Sequence, residues 1–517
     1  MSSNEDPVSP ASVTDHGRLT KARPLRPRAR TIKAELKKQA PLPSILKSEK
    51  RTQDESDQPP AVEWGSESSL IERQTYMLQA CRALINYGAP THRLETYMRR
   101  TADALDLHVQ AFYLPNCMII AFDDSDVGVP SRRSFDVQIV TCAQDLNLAK
   151  LSDTHRIYKN VIHRKTGAKE GTALLEKLFA REEQHSRWLR VLMYGLASAC
   201  IGPVGYDARP IDLPIIFLLG CLVGLLDLLV ATKSSLGCVL EMSSAILISF
   251  TARALGSFTW GEEGHNFCFS AIAQSSVVMI LPGFTIASSA LELQSKMMLP
   301  GAVRLVYGII YTLFLAFGFI VGITVYGAFD PAATSDTKCR HPWPFWWQII
   351  FVLPFTLCYV IIGQAKWKQM PAMLCITMAG WLVSHFSGKR FPTVQAFPTA
   401  LGALTVGVLS SVYSRFARGL AVVVMHPGIF ILVPGSFAVS GSLIEGLHNA
   451  NDVINQKNKT EKASLDSFKD PSALYAGYAM VEIAIGIAAG LSLSAMLVAP
   501  IRWKKNRNPG RNASTSS

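Results

Sequence analysis

The sequence predicts an all-α membrane transporter with about ten transmembrane helices, arranged as two inverted five-helix repeats and preceded by a small α/β cytosolic domain. Three observations carry that expectation. Beyond Trp188 come repeated apolar runs of about 17 to 25 residues, the length that crosses roughly 30 Å of hydrocarbon. Residues 1–187 are rich in charge, although the whole chain of 517 residues is 49% apolar and only 17% charged. Two Pro-Gly pairs recur at matching places in the apolar part. A single soluble core is excluded, because about ten such runs cannot all be buried inside one globule.

The first stretch, residues 1–65, reads as a disordered basic tail. Twelve Lys/Arg lie between Arg18 and Arg51, interleaved with Pro24, Pro27, Pro41 and Pro43 and with almost no apolar periodicity. Five acids up to Arg51 leave +7 there, most of the chain's net +12. Such a tail suits anionic lipid headgroups and equally a solvated segment carrying phosphorylation sites. Nucleic acid is not an expected partner, since no recognition motif accompanies the charge. No apolar core of a signal peptide follows Met1, so the N-terminus is expected to stay in the cytosol.

Residues 66–187 read as the cytosolic α/β domain. Ser69 to Glu72 is a capping box opening a helix that Gly88 stops, and a second helix runs from about Thr91 to Leu105. Strand patterns follow at His108 to Leu114, Met118 to Phe122 and Phe135 to Val140, separated by Pro115-Asn116 and by the aspartates from Asp123 to Asp126. Helices are expected from about Leu151 to Arg164 and from Glu170 to Glu183. The corner at Gly88, Thr91, Arg93 and Glu95 is its most distinctive segment. A helix N-terminus there offers free N–H groups to an anion and Arg93 a bidentate contact; a corner paired within its own domain is the competing reading.

Repeat one is placed at 188–330, with spans near Leu189 to Val204, Leu213 to Ala231, Leu236 to Leu255, Phe267 to Leu291 and Ala302 to Phe329. Repeat two, at 345–500, has spans near Phe345 to Ile362, Met370 to Phe386, Phe397 to Val412, Leu420 to Ile444 and Ala473 to Ala499. Residues 501–517 form a basic tail. An even span count puts both termini in the cytosol, which leaves Asn458 of the sequon Asn458-Lys459-Thr460 outside and open to glycosylation. Leu281-Pro282-Gly283 matches Val433-Pro434-Gly435 at an offset of 152. An odd number of spans per repeat inverts one half relative to the other. Broken helices at such matched positions are where secondary transporters bind solute, so Pro282, Gly283, Pro434 and Gly435, with Gln274 and Ser275 two turns earlier, are the candidate substrate site, with structural kinks that bind no ligand as the alternative.

Acids within spans are costly and therefore informative. Glu241, Asp227 and Glu482 are candidates to carry a coupling proton, with helix-helix adhesion as the alternative. Glu292 and Glu445, near span ends, are expected to be exposed at the interface. His385 and His426 read as packing residues rather than metal ligands. The ten cysteines show no C-x-x-C pair, so neither a disulfide framework nor a zinc or redox motif is expected. No G-x-x-x-x-G-K-[ST] provides for ATP, and no cofactor motif or hydrolase elbow is evident; the chain does not read as an enzyme.

The Gly88-Ala89-x-Thr91-x-Arg93-Leu94-Glu95 corner, the Leu114-Pro115-Asn116 turn, and the stretch from Phe267 through Gln274-Ser275-Ser276 and Leu281-Pro282-Gly283 to Leu291-Glu292-Leu293-Gln294 resemble the threonine/serine exporter superfamily. Its fungal branch is called the pheromone-regulated membrane proteins. The resemblance covers roughly Glu67 to Val498. It implies a cytosolic domain fused to ten spans, and ion-driven export of a threonine- or serine-like amino acid or a related carboxylate. The expected partners are therefore a small-molecule substrate, a coupling proton, the bilayer and, as an option, further copies of the chain. The membrane is the plasma membrane or the vacuole. A non-transporting protein that supports mating or cell fusion is the alternative.

Overall fold

The computed structural model describes residues 70–123, 135–142, 146–232, 237–258, 267–330, 343–391, 396–417, 419–433 and 472–505, with isolated positions at 333, 339, 443, 444 and 447. The capping serine Ser69, the aspartates after Asp123, Pro434, Gly435, Glu445 and Asn458 lie outside them.

Among the described residues the chain begins with α1 (Leu70–Asn86), whose buried face of Tyr76, Met77, Ala80, Cys81 and Leu84 follows the helical period. It ends before Gly88, whose φ of 80° is open to glycine at little cost. Next come α2 (Thr91–Ala104) and an antiparallel meander of β1 (Val109–Leu114), β2 (Cys117–Asp123) and β3 (Phe135–Thr141), in that spatial order. Asn116 takes the left-handed conformation in the β1–β2 turn, as Asn often does. Alternation on β2 sends Met118, Ile120 and Phe122 into the helices, while Ile119 and Ala121 share the opposite face with Phe112, Val137 and Ile139. The next two helices, α3 (Leu148–Ile162) and α4 (Ala168–Phe179), complete this core and lie within two or three residues of their predicted starts.

The apolar part holds α5 (Arg187–Gly205), α6 (Leu213–Thr232), α7 (Gly237–Ser257), α8 (Phe269–Val277), α9 (Gly283–Gln294) and α10 (Met298–Phe329). It continues with α11 (Phe345–Ile362), α12 (Met370–Arg390), α13 (Ala396–Phe416), α14 (Ala421–Leu432) and α15 (Ser472–Lys505). Eight of these are long and apolar enough to cross a membrane singly, and α8 with α9 passes the same test only as a pair, bent by 53° at the break. The short apolar helix α14 covers the first half of the remaining predicted span.

Close helix pairs rest on small residues, as expected where lipid is no less apolar than a side chain. A Cβ on Gly318 of α10 would stand 3.0 Å from the Met242 carbonyl oxygen of α7, and one on Gly486 of α15 2.7 Å from that of Ala396 on α13. One turn on, Gly322 and Gly490 repeat the contact against Ile246 and Ala400.

The two parts are knit together on one side. The first N–H groups of α3, at Leu148 and Ala149, donate to the carbonyls of Gly363 (3.0 Å) and Gln364 (3.2 Å) in the α11–α12 loop, so that loop caps the helix. Lys366 of the same loop pairs with Asp153.

Candidate functional site

The site begins at the break in the fourth predicted span. Proline has no N–H and its ring crowds the carbonyl four residues back, which weakens a helix without always ending it, as Pro203, Pro354 and Pro427 inside α5, α11 and α14 show; at Pro282, with Gly283 next, the helix entering from Phe269 does end. It tightens into a 3-10 turn at Val278–Ile280, Leu281 becomes extended (ψ 133°), and α9 starts afresh at Gly283. A Cβ on Gly283 would overlap the side chain of Val433, the residue that leaves α14 in extended conformation just before the second Pro-Gly. The end of α14 thus packs on the first break, and the required residue at the contact is glycine.

Beside this junction a cavity of about 660 Å³ separates α9 and α10 from the α2 corner and α14. Its polar lining comes from Asn116, Thr285, Ser288, Arg304, Tyr307, Tyr359 and His426. The Tyr359 hydroxyl and His426 Nδ1 share a hydrogen bond of 2.7 Å, and the His426 ring lies 4.0 Å from that of Phe284. Gly88 borders this cavity and also a smaller apolar one of about 70 Å³, which Thr91 and His92 reach.

One wall carries a charged network. Glu292, expected at an exposed interface, is instead 0% exposed. The reason is tertiary: the α2 corner covers the end of α9. Thr91 Oγ1 donates to Glu292 Oε1, Arg304 Nη1 donates to the same oxygen at 2.9 Å, and Arg304 Nη2 donates to the Tyr113 hydroxyl at 2.6 Å. Glu95 in turn accepts the Tyr113 backbone N–H at 3.2 Å. Glu292 Oε2 is buried without a hydrogen-bond partner. Burial pushes the Tyr113 phenol up, with Arg304 pulling against it, and burial beside Arg93 drives His92 down to about 4.

The other predicted residues fall elsewhere. Arg93 is exposed, whereas Gly88, Thr91 and Glu95 join the junction just described. Gln274 donates to Ser270 at 2.7 Å and Ser275 to the Ala271 carbonyl, both within their own helix and outside the lining of either cavity. Asp227 accepts from the Tyr194 hydroxyl at 3.1 Å. Glu241 lies near Tyr311 and near enough to Asp227 for their charges to interact, so the fold brings together two acids fourteen positions apart. Half-buried Glu482 lines neither cavity.

Sequence reasoning missed Glu292, Arg304, Tyr113 and Tyr359 as site residues. The signal for the first was present, an acid between Leu291 and Leu293 in an apolar run, and was discounted because a span end is normally wet. It also missed a pairing of cysteines. Among the described residues Cys268 and Cys339 form a disulfide, and the Cys268 N–H donates to the buried Asp212 carboxylate at 2.9 Å. This bond pins the start of α8 to the segment after α10, at the opposite helix ends from the Glu292 network.

Comparison with known proteins places this arrangement in a family. A family model described as "Putative threonine/serine exporter" matches residues 75–326, and one described as "Threonine/Serine exporter, ThrE" matches residues 348–497. Relatives called pheromone-regulated membrane protein 10 are 42% identical over 441 residues in Candida albicans (strain SC5314), 41% over 442 in Debaryomyces hansenii and 37% over 439 in Eremothecium gossypii. Each alignment covers 85% of this chain but 39%, 43% and 58% of the respective relative, so the chain spans about two to three fifths of their length. No solved structure matches. The chain is an integral membrane protein that belongs to the threonine/serine exporter family, in its fungal, pheromone-regulated branch.

Proposed function

We propose that the chain is a secondary transporter exporting a small amino acid of the threonine/serine type or a related carboxylate, bound in the cavity beside the broken helices. The observation that carries this is the junction at Gly283 and Val433. The break before Gly283 and the end of α14 meet there next to a cavity of about 660 Å³, large enough for a solute of that size with water. A mating-support role without transport explains neither feature.

The working architecture is ten spans in two inverted repeats. Corresponding helices pack alike, the third on the fifth (α7 with α10, α13 with α15) and the third on the fourth (α7 with α8, α13 with α14), while the first helices of the halves, α5 and α11, pack on each other. This is what an in-plane two-fold axis produces. Residues 66–187 act as a cytosolic domain tied to both halves, through Glu292 in one and the α11–α12 loop in the other. The disulfide supports that orientation, since Cys268 and Cys339 need an oxidising compartment and lie at the opposite helix ends.

The driving ion is a proton, carried by the Glu241 and Asp227 pair. Flux of radiolabelled serine, threonine and dicarboxylates in proteoliposomes of the full chain tests this reading. Uptake that responds to an imposed pH gradient, and loses that response in Glu241→Gln, is the expected result; no flux of any of them would sink it.

A further inference from the structure

We propose that Arg304 is the carboxylate anchor of the cavity and that Glu292 is its displaceable counter-ion, which takes up a proton when a substrate carboxylate replaces it. The proposal deepens the exporter reading and rests on it.

Among the described residues lining the larger cavity, Arg304 is the one permanently charged group. Its planar fork matches a carboxylate bidentately, and at present one arm holds Glu292 and the other Tyr113. Glu292 bonds lopsidedly. Oε1 receives both Thr91 and Arg304, while Oε2 is buried and receives nothing. A buried carboxylate in that state depends on Arg304 for its charge balance. Protonation at Oε2 removes the charge and leaves Oε1 to accept from Thr91, so Glu292 has a second stable arrangement that releases Arg304.

The balance closes simply. One proton converts the Glu292 carboxylate to the acid, Arg304 stays protonated throughout, and the incoming carboxylate restores the single negative charge beside it. The neighbours permit this. His92, Tyr307, Tyr359 and His426 line the two cavities, Glu95 and Tyr113 join the network, Arg93 on α2 is exposed, and among the described residues lining the larger cavity no second permanent cation holds Glu292 ionised. Thr285, Ser288 and Asn116 supply hydrogen-bonding groups for the polar remainder of the solute. The ligand class is therefore a small carboxylate with a polar far end.

The test is binding by the purified full chain, with proton uptake read by an indicator dye in weak buffer. The probes are L-serine, succinate and serinol, which is serine with its carboxylate reduced to the alcohol. Wild type is expected to bind at least one of the first two, telling amino acid from diacid, to ignore serinol, and to take up about one proton per bound carboxylate. Glu292→Gln should bind the same probe about tenfold or more tightly with no proton uptake, and Arg304→Gln about tenfold or more weakly. If Glu292→Gln does not fold, Glu292→Asp, which withdraws the charge from Arg304, should also bind more tightly. Equal binding of serinol, undiminished proton uptake in Glu292→Gln, or unchanged affinity in Arg304→Gln or Glu292→Asp overturns the proposal. If wild type still transports in those cases, the exporter reading stands; if wild type neither binds nor transports any probe, both fall.

Discussion

His155 shows how a single buried side chain turns tertiary packing into pH dependence. Its ring stacks on Tyr158 at 5.6 Å and lies 5.8 Å from that of Tyr97, with Nδ1 buried and unpartnered. Burial, helped by Lys159 and Arg93, lowers its pKa to about 4. The unfolded chain therefore binds the proton more readily. Stability from this group is complete above pH 6.5, the ordinary value, and is lost as pH falls toward about 4, by at most about 3 kcal/mol. Thermal unfolding at pH 7.5 and 5 should show a drop that His155→Phe reduces, and an unchanged drop would assign it to other groups. None of this was legible in the sequence, where His155 is one polar position in a helix.

At the scale of elements, the sequence placed the break in the fourth span correctly, because Pro282 acts locally through its missing N–H and its ring. What the break touches is not local. Gly283 is needed because Val433 occupies the space of a Cβ, and those residues are 150 positions apart. Gly283→Ala should abolish flux while leaving expression near normal, and Gly283→Ala with Val433→Ala should restore much of it by making room. Failure of the second change to rescue would show that the glycine serves backbone bending alone. The small-residue seams behave in the same way. Gly490→Leu, which forces α15 away from the Ala400 carbonyl of α13, should reduce the folded yield in detergent, as Gly322→Leu should at the corresponding α10 seam.

For the whole molecule, orientation is the property most open to test. The proposed topology puts Asn458 and the Cys268 to Cys339 disulfide on one side, and residues 66–187 and Asn512, of a second sequon Asn512-Ala513-Ser514, on the other. Glycosidase treatment should shift wild type but not Asn458→Gln, and Asn512→Gln should be without effect. Under denaturing, non-reducing conditions, maleimide-polyethylene glycol should add two further labels only after reduction, and this gain should vanish in Cys268→Ser/Cys339→Ser. Modification at Asn512 would invert the assignment. Skipped glycosylation at Asn458 would leave the disulfide as the arbiter.

The sequence by itself determined the class and the parts list: apolar runs long enough for the bilayer, a polar front with helices and three strands nearly where they stand, the Pro-Gly break, and the family. These depend on composition, period and local backbone chemistry, which act over a few residues. The tertiary structure alone decided that Glu292 is buried against Thr91 and Arg304, that Asp227 meets Glu241, that Gln274 and Ser275 stay within their own helix, and that Cys268 finds Cys339. Burial and charge pairing are properties of what lies opposite a side chain, and a neighbour 200 positions away leaves no mark on local periodicity.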